Sequence, residues 1–531
     1  MLLGAALRVW QYLANSSLWI DELALARNLV ERSFVGLLEP LDYAQVAPPG
    51  FLLVEKIAIA TFGTSEYSLR AFPLFCGLCS LVLFWIAAER ILRGWAATFA
   101  VALFSLGIPF IYFSAQVKQY SSDIAAALCV LAATLDVRQR GFTARRAWGL
   151  GAVGAVAVWF SQPAVFVLAG IGGGLLAITL IERDRIALRR VLVTGALWGA
   201  SAAAVVLRVT GAIPDLDRQY FAWFWADGFM PMPPRRLLDL LWLPGKLTWA
   251  FGAFELGLGR THGGLNYRWS PVFVVVMVCG FWALWRQRRD AALFLLLPVI
   301  VTIALSAVSV YPFTARVIAF LIPSFLLATA AGAQFLLAHW PQRLQPFVAV
   351  FLALLGGPPL YAAATALPPS WLQHFRPVVE YVAAHRAPGD RIYVYYGANP
   401  AFGFYAPRAG LTAEGVQSGR CLPADPRGHL RDLDRLRGSP RVWVLATHTL
   451  RAAEWDLIVG YLDRIGRRID SITVAGSRKA AIEEAYGYLY DLSDPGRLAA
   501  ASAETYEPII EPVTGAVAFW VCYGVIGQPA Y

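Results

Sequence analysis

Apolar runs of about twenty residues recur through the first two-thirds of this 531-residue chain. A run of that length crosses the ~30 Å hydrocarbon core as a helix, which satisfies its own backbone hydrogen bonds where no water can. Spans are read at 70–88, 95–113, 121–136, 147–161, 163–181, 191–208, 271–286, 291–309, 316–338 and 345–365. Composition agrees, with 58% hydrophobic and 15% charged residues, against about 45–50% and about 25% in soluble domains. The chain reads as an α-helical polytopic membrane protein.

The connections between spans sort by charge. "ERILRGW", "DVRQRGFTARRAW", "ERDRIALRR", "RQRRD" and "HWPQRLQ" hold fourteen arginines, whereas the alternate short connections "SAQVKQY", "SQP" and "VYPFTA" hold only Lys118. Retention of Lys and Arg on the cytoplasmic side makes the first group cytoplasmic. The net charge of +10 is therefore a topology signal, and nucleic-acid binding is not expected. Outer loops follow at 14–69 and 209–270, and the segment after 366 lies outside. One more helix must bring the chain out at its start, about eleven in all. Only "MLLGAAL" precedes Arg8, and fourteen helical residues rise about 21 Å, short of the core. The run lacks the basic n-region and cleavage site of a signal peptide; the first helix is expected to begin before Met1.

Residues 366–531 form a second domain beside the membrane domain 1–365. Charges return, and the β-rich runs "RIYVYYG" (391–397), "RVWVLAT" (441–447) and "VAFWVCYG" (517–524) bracket helical stretches at 374–386 and 451–467. Strands alternating with helices predict a small extracytoplasmic α/β domain. No Gly-rich phosphate loop follows these strands. Cys76 and Cys79 form a C-x-x-C inside a span, where small buried packing residues are the expected role. Cys421 and Cys522 share the outer domain, a compartment that permits a disulfide.

Chemistry-bearing residues gather on the outer side. "LWIDE" sets Asp21 and Glu22 at headgroup level just after Trp19. "QVAPPGFLLVEKIAIATFG", from Gln45 to Gly63, predicts a short interfacial helix behind a Pro-Pro start, and Arg70 opens the next span. "YFSAQVKQYSSD" carries Lys118, Tyr120 and Asp123. Lys118 violates the positive-inside bias, although a snorkelling side chain would do the same, and "SSD" also reads as a helix N-cap. "YPFTARVIAF" places Arg316 at another outer helix start. Such a set suits a sugar carried on a polyprenyl phosphate. A carboxylate would take the acceptor hydroxyl's proton, and fixed cations would hold the leaving phosphate.

Four stretches, "SLWIDELALARN", "APPGFLLVEKIAIATFGTSEYSLR", "SAQVKQYSSD" and "YPFTARVIAFLIP", occur in this order. Together with the topology they resemble the GT-C glycosyltransferases that use polyprenyl-phosphate sugars, such as protein O-mannosyltransferases and lipid A aminoarabinose transferases. The resemblance implies an inverting transfer with Asp21 as base and Glu22 beside it. The residues themselves offer Lys118, Arg70 and Arg316 as candidates for the donor phosphate, and Gln45, Tyr120 and Asp123 as candidate substrate contacts. The resemblance also implies an envelope lipid, glycan or protein acceptor and a bacterial inner-membrane location. No cofactor is expected; His262 could ligate a divalent metal, but a solvated loop histidine is the preferred reading. An oligosaccharide ligase or polymerase remains the enzymatic alternative. A transporter or flippase is disfavoured, because the mid-span positions are nearly free of charge and no repeat is visible.

Overall fold

The computed structural model describes residues 1–210, 214–252, 270–343, 345–347, 349–350, 369–476, 484–507 and 509–526. Two compact units emerge. The first comprises Met1–Ala14, Phe34–Pro40 and Val46–Pro368; the second comprises Asn15–Ser33, Leu41–Gln45 and Pro369–Tyr531. The segment 14–69, expected as one outer loop, is thus divided between the two units. The expected span at 345–365 and His262 lie outside the described residues.

The first unit is a helical bundle: α1 (Leu2–Leu13), then, after α2 (Ile20–Glu31) of the second unit, α3 (Pro49–Phe62), α4 (Glu66–Ile91), α5 (Trp95–Leu106), α6 (Ile108–Phe113) and α7 (Tyr120–Arg140). It continues with α8 (Ala144–Phe160), α9 (Ala164–Glu182), α10 (Arg185–Thr210), α11 (Asp215–Phe224), α12 (Trp242–Gly252), α13 (Ser270–Gln287), α14 (Arg289–Ala307) and α15 (Ile322–His339). Among the described residues seven helical segments are long and apolar enough to cross a membrane, and the chain is a multi-pass membrane protein. The fourteen residues of α3 rise about 21 Å, too short to cross.

Lipid supplies little hydrophobic drive for helix association, so contact depends on close approach at small residues. At the α13–α15 crossing, a Cβ on Gly280 would stand 1.7 Å from the Ala328 carbonyl oxygen, and one on Gly332 1.9 Å from that of Val276. Gly280→Ala or Gly332→Ala is therefore expected to cost at least about 1–3 kcal/mol. Loss of thermal stability in detergent checks this; an unchanged midpoint would contradict the crossing.

The run 95–113, expected as one span, is two helices broken at Gly107. Pro109 has no N–H, and its ring excludes the carbonyl four residues back, that of Ser105. Arg8 meets the carbonyls released there. Its guanidinium, fully buried, donates to Ser105 O at 3.0 Å, Phe104 O at 3.3 Å and Gly4 O at 2.9 Å. The arginine that interrupts the first apolar run thus terminates a neighbouring helix.

The arginine-bearing connections meet at one end of this bundle. Arg90 pairs with Asp136 at 3.1 Å and Arg138 with Glu182 at 2.8 Å. Arg288 donates to Arg90 O at 3.1 Å, Gln334 to Arg93 O at 2.9 Å, and Arg190 to Phe142 O. The alternate connections meet at the other end. Ser122 Oγ donates to Phe160 O at 2.9 Å, Phe166 lies edge-on to Tyr311 at 4.8 Å, and Phe313 N–H donates to Gly228 O at 2.7 Å. The alternation read from charge is the alternation of the helices.

The second unit contains a five-stranded mixed sheet of order β2-β1-β3-β5-β4. The strands are β1 (Arg391–Val394), β2 (Val416–Ser418), β3 (Val442–Thr447), β4 (Arg467–Val474) and β5 (Ala485–Asp491). β1 pairs parallel with β2 and β3, Ile392 opposite Val416 and Trp443; β5 pairs antiparallel with β3 and β4. The helices Arg376–His385 and Ala452–Ile465 match their expected ranges. The expected strand at 517–524 is instead the helix Gly515–Ile526. Its buried residues Ala518, Trp520, Cys522, Tyr523 and Val525 mix helical with alternate spacing, so the β-branched and aromatic composition decided the reading. Cys522 is disulfide-bonded to Cys421.

Candidate functional site

At the bundle end opposite the arginine cluster, the turn 114–119 is drawn inward. A Cβ on Gly77 of α4 would stand 2.7 Å from Ser114 Cβ, so the turn rests directly on that helix. Lys118 is buried there, and its N–H donates to Gln116 O at 2.7 Å. α7 begins at Tyr120, so Asp123 lies in its first turn and the N-cap position is Gln119. The expected cap at "SSD" therefore falls inside the helix. Ser122 Oγ instead ties the turn to Gln119 O at 2.8 Å and to Phe160 O.

Arg316 opens the 3₁₀ helix Ala315–Leu321. Its guanidinium lies 5.8 Å from the centre of the Tyr120 ring and 5.6 Å from that of Trp225, within cation–π range. Tyr311 donates to Val317 O at 2.7 Å. Burial first, then the nearby Asp123 carboxylate and Tyr120, push its phenol well above the usual value, so it remains a donor. Tyr120, Asp123 and Arg316 thus share one neighbourhood around Tyr311. Arg70 is buried in the second turn of α4.

Sequence reading missed Lys246. Its ammonium contacts Asp227 Oδ2 at 2.7 Å and Thr314 Oγ1 at 3.1 Å, two residues from Arg316. Gly228 makes the approach feasible, since a Cβ there would stand 2.6 Å from Thr314 Cγ2. The only sequence signal was a lysine in a long outer loop without a recognisable motif. Glu55 of α3 was missed as well: it is fully buried, and neither carboxyl oxygen has a hydrogen-bond partner among the described residues.

The second unit holds Asp21, Glu22 and Gln45. α2 (Ile20–Glu31) opens with both acids in its first turn, where the partial positive charge of the helix N-terminus favours them. The structure separates their roles. Glu22 is buried, and its Oε2 accepts the Trp19 N–H at 3.3 Å, whereas Asp21 is half-buried. The start of α2 is held by the C-terminal segment: Ser17 N–H donates to His374 Nδ1 at 3.0 Å, Leu18 N–H to the Tyr405 hydroxyl at 2.7 Å, and Ile20 N–H to Gln373 Oε1 at 3.1 Å. Gln45 donates to Tyr43 O at 3.1 Å. Its loop is fixed to α2 by Asn28, which receives the Asp42 N–H at 2.9 Å and donates to Asp42 O at 3.2 Å.

Among the described residues no three His, Cys, Asp or Glu side chains gather as metal ligands would.

No known family profile and no curated protein matches the sequence. Solved structures similar in fold include ArnT from Cupriavidus metallidurans bound to undecaprenyl phosphate, with 14% identity, 92% of this chain and 97% of that chain covered, and a TM-score of 0.49. The Archaeoglobus fulgidus oligosaccharyltransferase in complex with Zn and sulfate gives 13% identity, 92% and 72% coverage and a TM-score of 0.49. The archaeal oligosaccharyltransferase AglB from the same organism, in complex with an inhibitory peptide and a dolichol-phosphate, gives 11%, 92%, 73% and 0.49.

Proposed function

We propose that this chain is an integral membrane glycosyltransferase that moves a sugar from a polyprenyl-phosphate donor to an acceptor hydroxyl on the extracytoplasmic face of a bacterial inner membrane. The observation that carries this reading is the set of cations at the bundle end opposite the arginine cluster. Arg70 and Lys118 are buried, and Arg316 lies over two aromatic rings. Arg suits bidentate and Lys point-charge contact with a phosphate, and a lipid phosphate at headgroup depth is an anion that such a set of cations can hold. The charge asymmetry supports placing this end outside.

In this reading Asp21 takes the proton of the acceptor hydroxyl as its oxygen attacks the anomeric carbon. The bond from that carbon to the phosphate oxygen breaks, and the electron pair leaves with the lipid phosphate. Attack opposite the leaving group inverts the anomeric configuration. Arg70, Lys118 and Arg316 hold the phosphate, and Gln45, Tyr120 and Asp123 contact the substrates. An envelope lipid, glycan or protein supplies the hydroxyl. No cofactor takes part.

The test is turnover of polyprenyl-phosphate sugars by purified protein. Lys118→Ala and Arg316→Ala should each raise the donor KM about 10- to 100-fold, from the roughly 1.5–3 kcal/mol of a charge-assisted hydrogen bond. Arg138→Ala, which loses an exposed ion pair, should change it less than about threefold. Equal effects of all three, or no consumption of any polyprenyl-phosphate sugar by the wild type, would defeat the proposal.

A further inference from the structure

The residues that hold the start of α2 form a path running into the sheet. Ile20 is the first residue of α2, so its N–H has no acceptor within the helix; Gln373 Oε1 supplies one at 3.1 Å. The Gln373 side chain is buried, and its Nε2 meets His448 Nδ1. His448 directly follows Thr447, the last residue of the central strand β3. Burial lowers its imidazole to about 4, so the ring is neutral and Nδ1 can accept from the amide.

The backbone along this path is strained. Gln373 has φ +48°, a left-handed conformation that costs such a residue about 1–2 kcal/mol; His448 at +53° and Asn15 at +48° are residue types that adopt it more readily. Strain of this kind persists only where the surroundings over-determine it, and it concentrates at functional sites. Asn15 is itself fixed, its carbonyl accepting from Arg376 Nη2 at 2.6 Å, while the Arg376 N–H donates to Ser17 Oγ at 2.9 Å. A surface loop needing only attachment would not require a strained Gln373 and a buried amide–imidazole contact.

We infer that Gln373 and His448 are positioning residues: through the Ile20 amide they set the first turn of α2 and hence the direction of the Asp21 carboxylate. This gives the α/β unit, in which the sequence showed no site, a task in the reaction. The inference rests on Asp21 acting as the base. A displacement near 1 Å at a reacting group costs on the order of 100-fold in rate, so the path need not be cut completely to register.

The experiment compares full-length wild type with Gln373→Met, Gln373→Glu, Tyr405→Phe and Asp21→Asn, using a polyprenyl-phosphate hexose as donor. Gln373→Met keeps the length and removes both polar partners; kcat should fall about 10- to 100-fold with donor KM within about twofold. Gln373→Glu retains an acceptor for the Ile20 amide, and His448 can shift its proton to Nδ1 to meet the carboxylate, so kcat should return to within about threefold. Tyr405→Phe removes the partner of the Leu18 N–H and serves as a control for loss of attachment alone; it should lower stability more than kcat. Wild-type kcat in Gln373→Met, no rescue by Gln373→Glu, or a kcat loss in Tyr405→Phe equal to that of Gln373→Met would overturn the inference while an inactive Asp21→Asn left the functional reading standing. A fully active Asp21→Asn would overturn the reading itself, and the inference with it.

Discussion

Asp21→Asn is expected to fold normally and to lose transfer by about 10²–10⁴-fold, the usual worth of general-base assistance. The fold should hold because the structural duty at this helix start belongs to Glu22, which receives the Trp19 N–H. Asparagine keeps the size and one carbonyl oxygen, so the half-buried position retains an acceptor. Losing one negative charge from the first turn costs about 0.3–1 kcal/mol through the helix dipole, too little to unfold the unit. Turnover beside a thermal scan separates the two effects. Near wild-type turnover would move the base to Glu22 or Asp123 and remove the role assigned to "LWIDE".

The second large effect is expected from the disulfide. Cys421 and Cys522 are 101 residues apart in sequence, so their bond closes most of the sheet into one covalent loop. For a loop of about 100 residues the chain-entropy model assigns about 4.7 kcal/mol, and native disulfides typically contribute about 2–5. Cys421→Ser with Cys522→Ser should therefore lower the melting midpoint of the second unit by roughly 5–15 °C. The helix Gly515–Ile526 should become protease-sensitive first, since its remaining hold is packing by residues such as Ala518 and Val525. Unfolding with and without reductant measures this. An unchanged midpoint would mean that packing alone secures the last helix.

What could be read beforehand follows the range of the physics involved. Hydrophobic period and charge bias act locally, and they located most of the described spans, the two ends of the bundle and the strands at 391–397 and 441–447. Pro109 was also local, yet its effect went unread because an apolar run dominated the window. The helix Gly515–Ile526 was misjudged as a strand because composition outweighed period in a short segment. The exposed edge strand β4 carried too many charges to stand out. Asp21, Lys118 and Arg316 were legible as charges out of place on an apolar background. Lys246 and Glu55 were not, one lying in an unremarkable loop and the other inside an amphipathic-looking helix. Gln373 and His448 were unreadable in principle: Gln373 meets the Ile20 amide 353 positions away, and His448 meets Gln373.

That separation has a consequence during synthesis. Residues 15–33 leave the ribosome well before Gln373, Tyr405 and the sheet that receive them, which follow about 350 positions later. At about 5–20 residues per second the acidic segment waits roughly 20–70 s for its partners. During that interval its amides and its apolar face, Leu23, Leu25, Ala26 and Leu29, have no native seat. Residues 15–33 are therefore made long before they can be folded, and the acid they carry reaches its final setting only once the sheet about 350 residues further on exists.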